Sequence, residues 1–191
     1  MSRFVSFSRR LDVATASRCF VVCDRILILV QAKTKSVTLN GGMPMPAWSD
    51  IFGLDASSKE DAAGFEESFA RIKSIINQTI ASGIPASNIV VGGFSQGGAV
   101  ALHTAMRLTI PIAGYIALST WLPFASSYPK NMAAPAKKAK ILQVRLKRKI
   151  QHRCRLELSL RSLFGVTYTS NIHIERYTAA RILSSVSNGE K

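Results

Sequence analysis

One stretch of the chain carries residue types that could do covalent chemistry. Gly93-Phe94-Ser95-Gln96-Gly97-Gly98 follows the β-branched run Asn88-Ile89-Val90-Val91 and precedes a helical pattern, so it reads as a tight turn between a buried strand and a helix. A serine at so sharp a bend takes a strained backbone conformation. Side chains at positions 93 and 97 are expected to collide with the adjoining strand and helix, which accounts for glycine at both. The bend lifts the Ser95 hydroxyl clear of the sheet. The amide N–H of Gln96 and the start of the helix then point at an anion forming on a substrate carbonyl, which is half of an oxyanion hole. The chemistry implied is acyl transfer with Ser95 as nucleophile. A glycine-rich turn that cradles phosphate is the competing use of the same letters, and the placement between strand and helix favours the nucleophile elbow.

The elements that must hold this turn are legible on either side of it. Ser57 or Ser58 is expected to cap a helix whose first turn holds Glu60 and Asp61, where negative charge complements the exposed amides. Phe65, Phe69, Ile72, Ile76 and Ile80 then recur at spacings of four and three and form one apolar stripe. Gly83 and Pro85 predict the end of that helix. Residues 99–106 suit a second helix, and residues 88–91, 112–118 and 140–144 suit buried strands. The alternation predicts an α/β fold: a parallel sheet with right-handed crossovers and helices on both faces.

Composition bounds the rest. With 191 residues, 47% of them hydrophobic and 19% charged, the chain can build one real core. Three cysteines, Cys19, Cys23 and Cys154, do not make a disulfide framework, so a reducing, cytoplasmic setting is expected. The longest apolar runs, at 20–23 and 26–30, are far shorter than the roughly 20 residues of a membrane-spanning helix. The net charge is +14, unevenly spread: residues 145–191 hold ten Lys or Arg against three acidic residues, a net of +7. Such a segment could meet anionic lipid or nucleic acid. Residues 145–155 lack aromatics to stack on bases, so no nucleic-acid partner is expected. The chain thus divides into an irregular N-terminal segment, 1–31, with a short strand near 26–30; an α/β core, 32–144; and a basic segment, 145–191, with a strand expected at 167–174. The Arg- and Ser-rich start also fits a transit peptide, though no clear cleavage site accompanies it.

From about Gln31 to Val144 the sequence resembles the acyl-protein thioesterases of the phospholipase/carboxylesterase group of α/β-hydrolases. The resemblance runs in order through Thr38-Leu39-Asn40, Met45-Pro46-Ala47-Trp48-Ser49-Asp50-Ile51, Gly83-Ile84-Pro85, Gly92-Gly93-Phe94-Ser95-Gln96-Gly97-Gly98 and Trp121-Leu122-Pro123. It implies Ser95 as nucleophile, Gln96 as an oxyanion donor, elbow glycines at Gly93, Gly97 and Gly98, and Trp121, Leu122 and Pro123 beside an acyl channel. It also implies cytosolic hydrolysis of palmitoyl thioesters on proteins or of lysophospholipid esters, with no cofactor or metal and with peripheral membrane contact. Ser49 stands where the family usually has an aromatic residue.

Both flanks depart from that family. A serine hydroxyl needs a histidine to take its proton and a carboxylate to orient that histidine, in the chain order Ser, acid, His. All five aspartates, Asp12, Asp24, Asp50, Asp55 and Asp61, precede Ser95. Arg145-Leu146 replaces the family's His-Gly, and the early His-Gly-Leu-Gly-Asp loop that supplies the other oxyanion N–H is absent. Glu157 and His173 keep the right order without any sequence signal of proximity. His103 is expected to point away from the elbow, and His152 and Cys154 sit in the basic run. With permitted codons, Tyr177-Thr178-Ala179-Ala180 read in a shifted frame spells His-Ser-Ser, so residues 145–191 are expected to be an out-of-frame or alternative-exon version of the missing segment. A hydrolase impaired at its triad is therefore the expectation, and a non-catalytic acyl- or membrane-binding relative the alternative.

Overall fold

The computed structural model describes residues 17–22, 25–55, 57–146 and 172–178. Two small antiparallel pairs come first: β1 (Ser17–Val22) with β2 (Arg25–Val30), then β3 (Thr34–Ser36) with β4 (Pro44–Pro46). The strand expected near 26–30 is β2, and β1 is a partner that the apolar run at 20–23 only hinted at.

Helix α1 (Ala62–Ala81) buries Phe65, Ile72 and Ile76 of the expected stripe, with Phe69 and Ile80 partly buried beside them. Its cap is Asp61 and not Ser57 or Ser58. An isolated bridge pairs Ile51 with Glu60, which keeps the chain extended up to residue 60. The Asp61 carboxylate then accepts from Gly64 N at 3.0 Å and from Asp50 N at 2.8 Å. The helix stops as expected: Gly83, at φ +98°, donates to Ile80 O, and Ile84 N donates to Thr79 O, the paired bonds of a Schellman cap.

The main sheet has the order β5 (Val90–Phe94), β6 (Gly114–Leu118), β7 (Lys140–Leu146), β8 (Ile172–Thr178); the first three are parallel and β8 runs antiparallel to β7. The strand expected at 88–91 begins two residues later because residues Ala86–Asn88 form a tight 3-10 turn. The strand expected at 167–174 is displaced to β8, and positions 167–171 lie outside the described residues, as do His152, Cys154 and Glu157.

Helix α2 (Gln96–Arg107) is buried from Gly98 through Met106 because it is covered on two sides. Leu102, Ala105 and Met106 pack on Tyr115, Ala117 and Ile141 of the sheet. Ala99 and Val100 pack on Phe65, Ile72 and Ile76 of α1. On the opposite sheet face Val90 and Phe94 are about half exposed, so among the described residues the helices cover one face.

Candidate active site

Ser95 sits between β5 and α2 at φ 50°, ψ −122°, a region L residues rarely occupy, and it is exposed. Its backbone is tied on both sides. Ser95 N donates to Leu118 O at 2.9 Å, Ala99 N donates to Ser95 O at 3.0 Å, and Thr120 Oγ1 donates to the same Ser95 O at 2.7 Å. Three independent bonds thus hold the strained turn in place.

The glycines around it divide the work differently from the sequence expectation. A Cβ on Gly93 would lie inside the backbone of Gly97 and 2.6 Å from Gly98 N. A Cβ on Gly98 would stand 2.8 Å from Thr120 Cβ and 2.9 Å from Gly93 O. At Gly97 a Cβ would meet Trp48 Nε1 at 3.4 Å, a tolerable contact. The collision expected at 97 therefore falls at 98, because the helix turns that position toward the sheet.

Gln96 is the first residue of α2, where a backbone N–H has no intrahelical acceptor. Its side chain does something the sequence did not reveal. Gln96 Oε1 accepts from Trp48 N at 2.8 Å, and Nε2 donates to Ser49 O at 2.9 Å and Ser49 Oγ at 3.0 Å. The residue after the serine thereby holds the 48–49 segment against the elbow. Ser49 is 1% exposed and serves as one of those partners, which gives the serine at this position a local use.

Trp121, Leu122 and Pro123 follow β6, joined to the elbow through Thr120. Trp121 is 45% exposed, while Leu122 is partly buried against the core and Pro123 is buried. Only the indole of the three lies open, on the loop that Thr120 ties to Ser95 O.

The two described histidines are placed elsewhere. His103 is 1% exposed, caged by the rings of Phe65, Phe69 and Phe124 at 5.7–5.9 Å. Burial pushes the Tyr128 phenol up to about 12, so it stays protonated, and its oxygen shares a hydrogen bond with His103 Nδ1 at 3.2 Å. His103 Nε2 lies 3.6 Å from Glu66 Oε1, beyond hydrogen-bond reach, and has no other partner among the described residues. It lines a cavity of about 190 Å³ together with Glu66, Arg107, Ser127 and Tyr128, away from Ser95. His173 lies on β8 opposite Arg145, and the register Phe94, Leu118, Val144, Ile174 puts it near the level of Ser95. Three strand spacings still separate the two backbones, about 14 Å, whereas proton transfer between side chains works at about 2.6–3.2 Å.

Desolvation holds the His103 pKa below its ordinary 6.5, against the pull of Glu66 and with help from Arg107. As pH falls through 6.5 the unfolded chain takes up this proton before the folded one does, so stability is present above that pH and declines below it. The urea midpoint should accordingly drop as pH falls from 6.5 toward the lower folded pKa, and His103→Phe should remove that part of the dependence. An unchanged pH profile in His103→Phe would show that the histidine is not held neutral.

Among the described residues no group of three or more His, Cys, Asp or Glu is placed to hold a metal, and no helix is long and apolar enough to cross a membrane.

This geometry has counterparts. The phospholipase/carboxylesterase family model matches residues 12–149, reaching back beyond the motif blocks. The chain belongs to that family. An acyl-protein thioesterase 1 from Mycosarcoma maydis is 44% identical over 125 residues, 61% of this chain and 52% of that protein. One from Neurospora crassa is 45% identical over 112 residues, 54% of this chain and 46% of that protein. Among solved structures, SOBER1 of Arabidopsis thaliana superposes with a TM-score of 0.57 at 32% identity, over 60% of this chain and 56% of that one. Acyl-protein thioesterase 2 of Zea mays gives 0.52 at 27% identity, over 60% and 53%. The α/β-hydrolase class expected from the motifs is thus shown, and this phospholipase/carboxylesterase chain spans about half the length of the curated relatives it matches.

Proposed function

We propose that this chain is an acyl-protein thioesterase-like serine hydrolase domain, with Ser95 in the nucleophile's place but without an activating base, and the Gln96 N–H as oxyanion donor, so that its turnover is strongly impaired. The observation that carries the reading is the exposed Ser95 held at φ 50° at the mouth of α2. The substrate class is a long acyl chain in ester or thioester linkage, on a palmitoylated protein or a lysophospholipid, with Trp121 as the open part of the acyl wall. Elbow and wall lie within residues 32–144, which act as the α/β-hydrolase core.

The impairment follows from proton chemistry. Among the described residues no base reaches Ser95, so its hydroxyl stays protonated, and a triad-deficient serine hydrolase keeps about 10³ to 10⁴-fold over water from binding and the oxyanion hole. Lacking one oxyanion donor costs about 10² to 10³ of that. Turnover of an S-palmitoyl peptide within about a hundredfold of the spontaneous rate is the expected result. Rapid turnover would overturn the impaired reading, and failure to bind either palmitate or a lysophospholipid would overturn the acyl reading itself.

A second reading, binding to an anionic membrane surface without catalysis, is favoured by Leu54 at 85% and Met43 at 58% exposure on a chain of net charge +14. Salt-sensitive liposome binding that deletion of residues 145–191 abolishes would support it.

A further inference from the structure

One carboxylate, set far from Ser95 in sequence, accepts two hydrogen bonds from the loop that follows β6. Glu60 Oε1 accepts from the Trp121 indole Nε1 at 3.1 Å, and Glu60 Oε2 accepts from Phe124 N at 2.7 Å. The carboxylate has a fixed base, since Glu60 is bridged to Ile51 and precedes the α1 cap Asp61. The loop has its own constraints. Ser119 and Phe124, at φ 45° and 53°, bracket it in a backbone region that residues with a Cβ seldom adopt. Thr120 ties its near end to Ser95 O, and the Phe124 ring stands edge-on to Phe65 at 5.4 Å at its far end. Between these anchors Trp121 is 45% exposed, with its indole N–H held by Glu60.

We propose that Glu60 is a positioning residue that fixes the indole plane of Trp121, on the loop that Thr120 ties to Ser95, and so selects long acyl chains. The inference rests on the acyl-hydrolase reading above, and it adds a residue that touches neither the acyl carbon nor the serine. In Glu60→Gln a single amide oxygen must serve two N–H donors while the amide NH₂ opposes one of them, so the clamp opens without loss of volume.

The test uses the full chain and two readouts. Collisional quenching of tryptophan fluorescence by acrylamide should rise in Glu60→Gln and Glu60→Ala, and the rise should vanish when Trp121→Phe is added, since the Trp48 ring lies under Arg71 and has no bond to Glu60. Asp50→Asn, which removes a comparable carboxylate clamp on Thr38, should leave the quenching unchanged. Palmitate binding should weaken about tenfold in Glu60→Gln, the loss of hydrogen bonds to one charged group, while octanoate binding stays the same. Should the variants not fold, slow solvent exchange of the Trp121 indole N–H in the unsubstituted chain is the same expectation read by NMR. Unchanged quenching, or rapid indole exchange, would overturn the proposal. Failure of the unsubstituted chain to bind either fatty acid would instead overturn the acyl reading, with the indole readouts still deciding whether Glu60 holds Trp121.

Discussion

Gly93→Ala should abolish cooperative folding or cost at least about 3 kcal/mol, the upper end of overpacking penalties, whereas Gly97→Ala should cost under about 1 kcal/mol. The added methyl at 93 meets backbone atoms of Gly97 and Gly98, which belong to the first turn of α2 and have no rotamer to yield. That turn cannot retreat, because α2 is buried from Gly98 onward between α1 and the sheet. At 97 the nearest atom is Trp48 Nε1 at 3.4 Å, the tip of a side chain. Urea unfolding of the two variants, side by side, reads the difference. Equal stabilities would mean that α2 does not press on β5 as described.

Ser95→Ala is expected to change thioester turnover by less than about tenfold, where the same substitution in a complete triad costs on the order of 10⁶. The reasoning is that a hydroxyl contributes as a nucleophile only when a neighbouring group takes its proton. His103 is buried in its aromatic cage with Nδ1 engaged by Tyr128, and β8 carries His173 three strands from the elbow. What catalysis remains would come from the Gln96 N–H and from holding the substrate, neither of which alanine removes. Single-turnover rates on an S-palmitoyl peptide for the two proteins make the comparison. A thousandfold loss on substitution would reveal a working base.

The elbow was readable because it is local: six consecutive residues, preceded by a β-branched run and followed by a helical one. The α1 stripe and its stop at Gly83 were readable for the same reason. The cap was misplaced because the two Ser residues satisfy the local rule equally well, and only the Ile51–Glu60 bridge decides that the chain stays extended to residue 60. The start of β5 was misplaced by the 3-10 turn at Ala86–Asn88, which borrows a residue that looked like strand. The Gln96 bonds to 48–49 and the Glu60 bonds to 121 and 124 span 47 to 64 positions, so no window of local pattern contains both partners. Gly97 and Gly98 were told apart only by which of them the helix turns toward Thr120.

The most direct test of the account is the rate at which a fluorophosphonate probe, which reacts with base-activated serines, labels the intact chain. The account predicts labelling of Ser95 no faster than that of other exposed serines, with the folded chain confirmed in the same sample by cooperative unfolding. Fast, saturating labelling that is confined to Ser95 and lost in Ser95→Ala would contradict it.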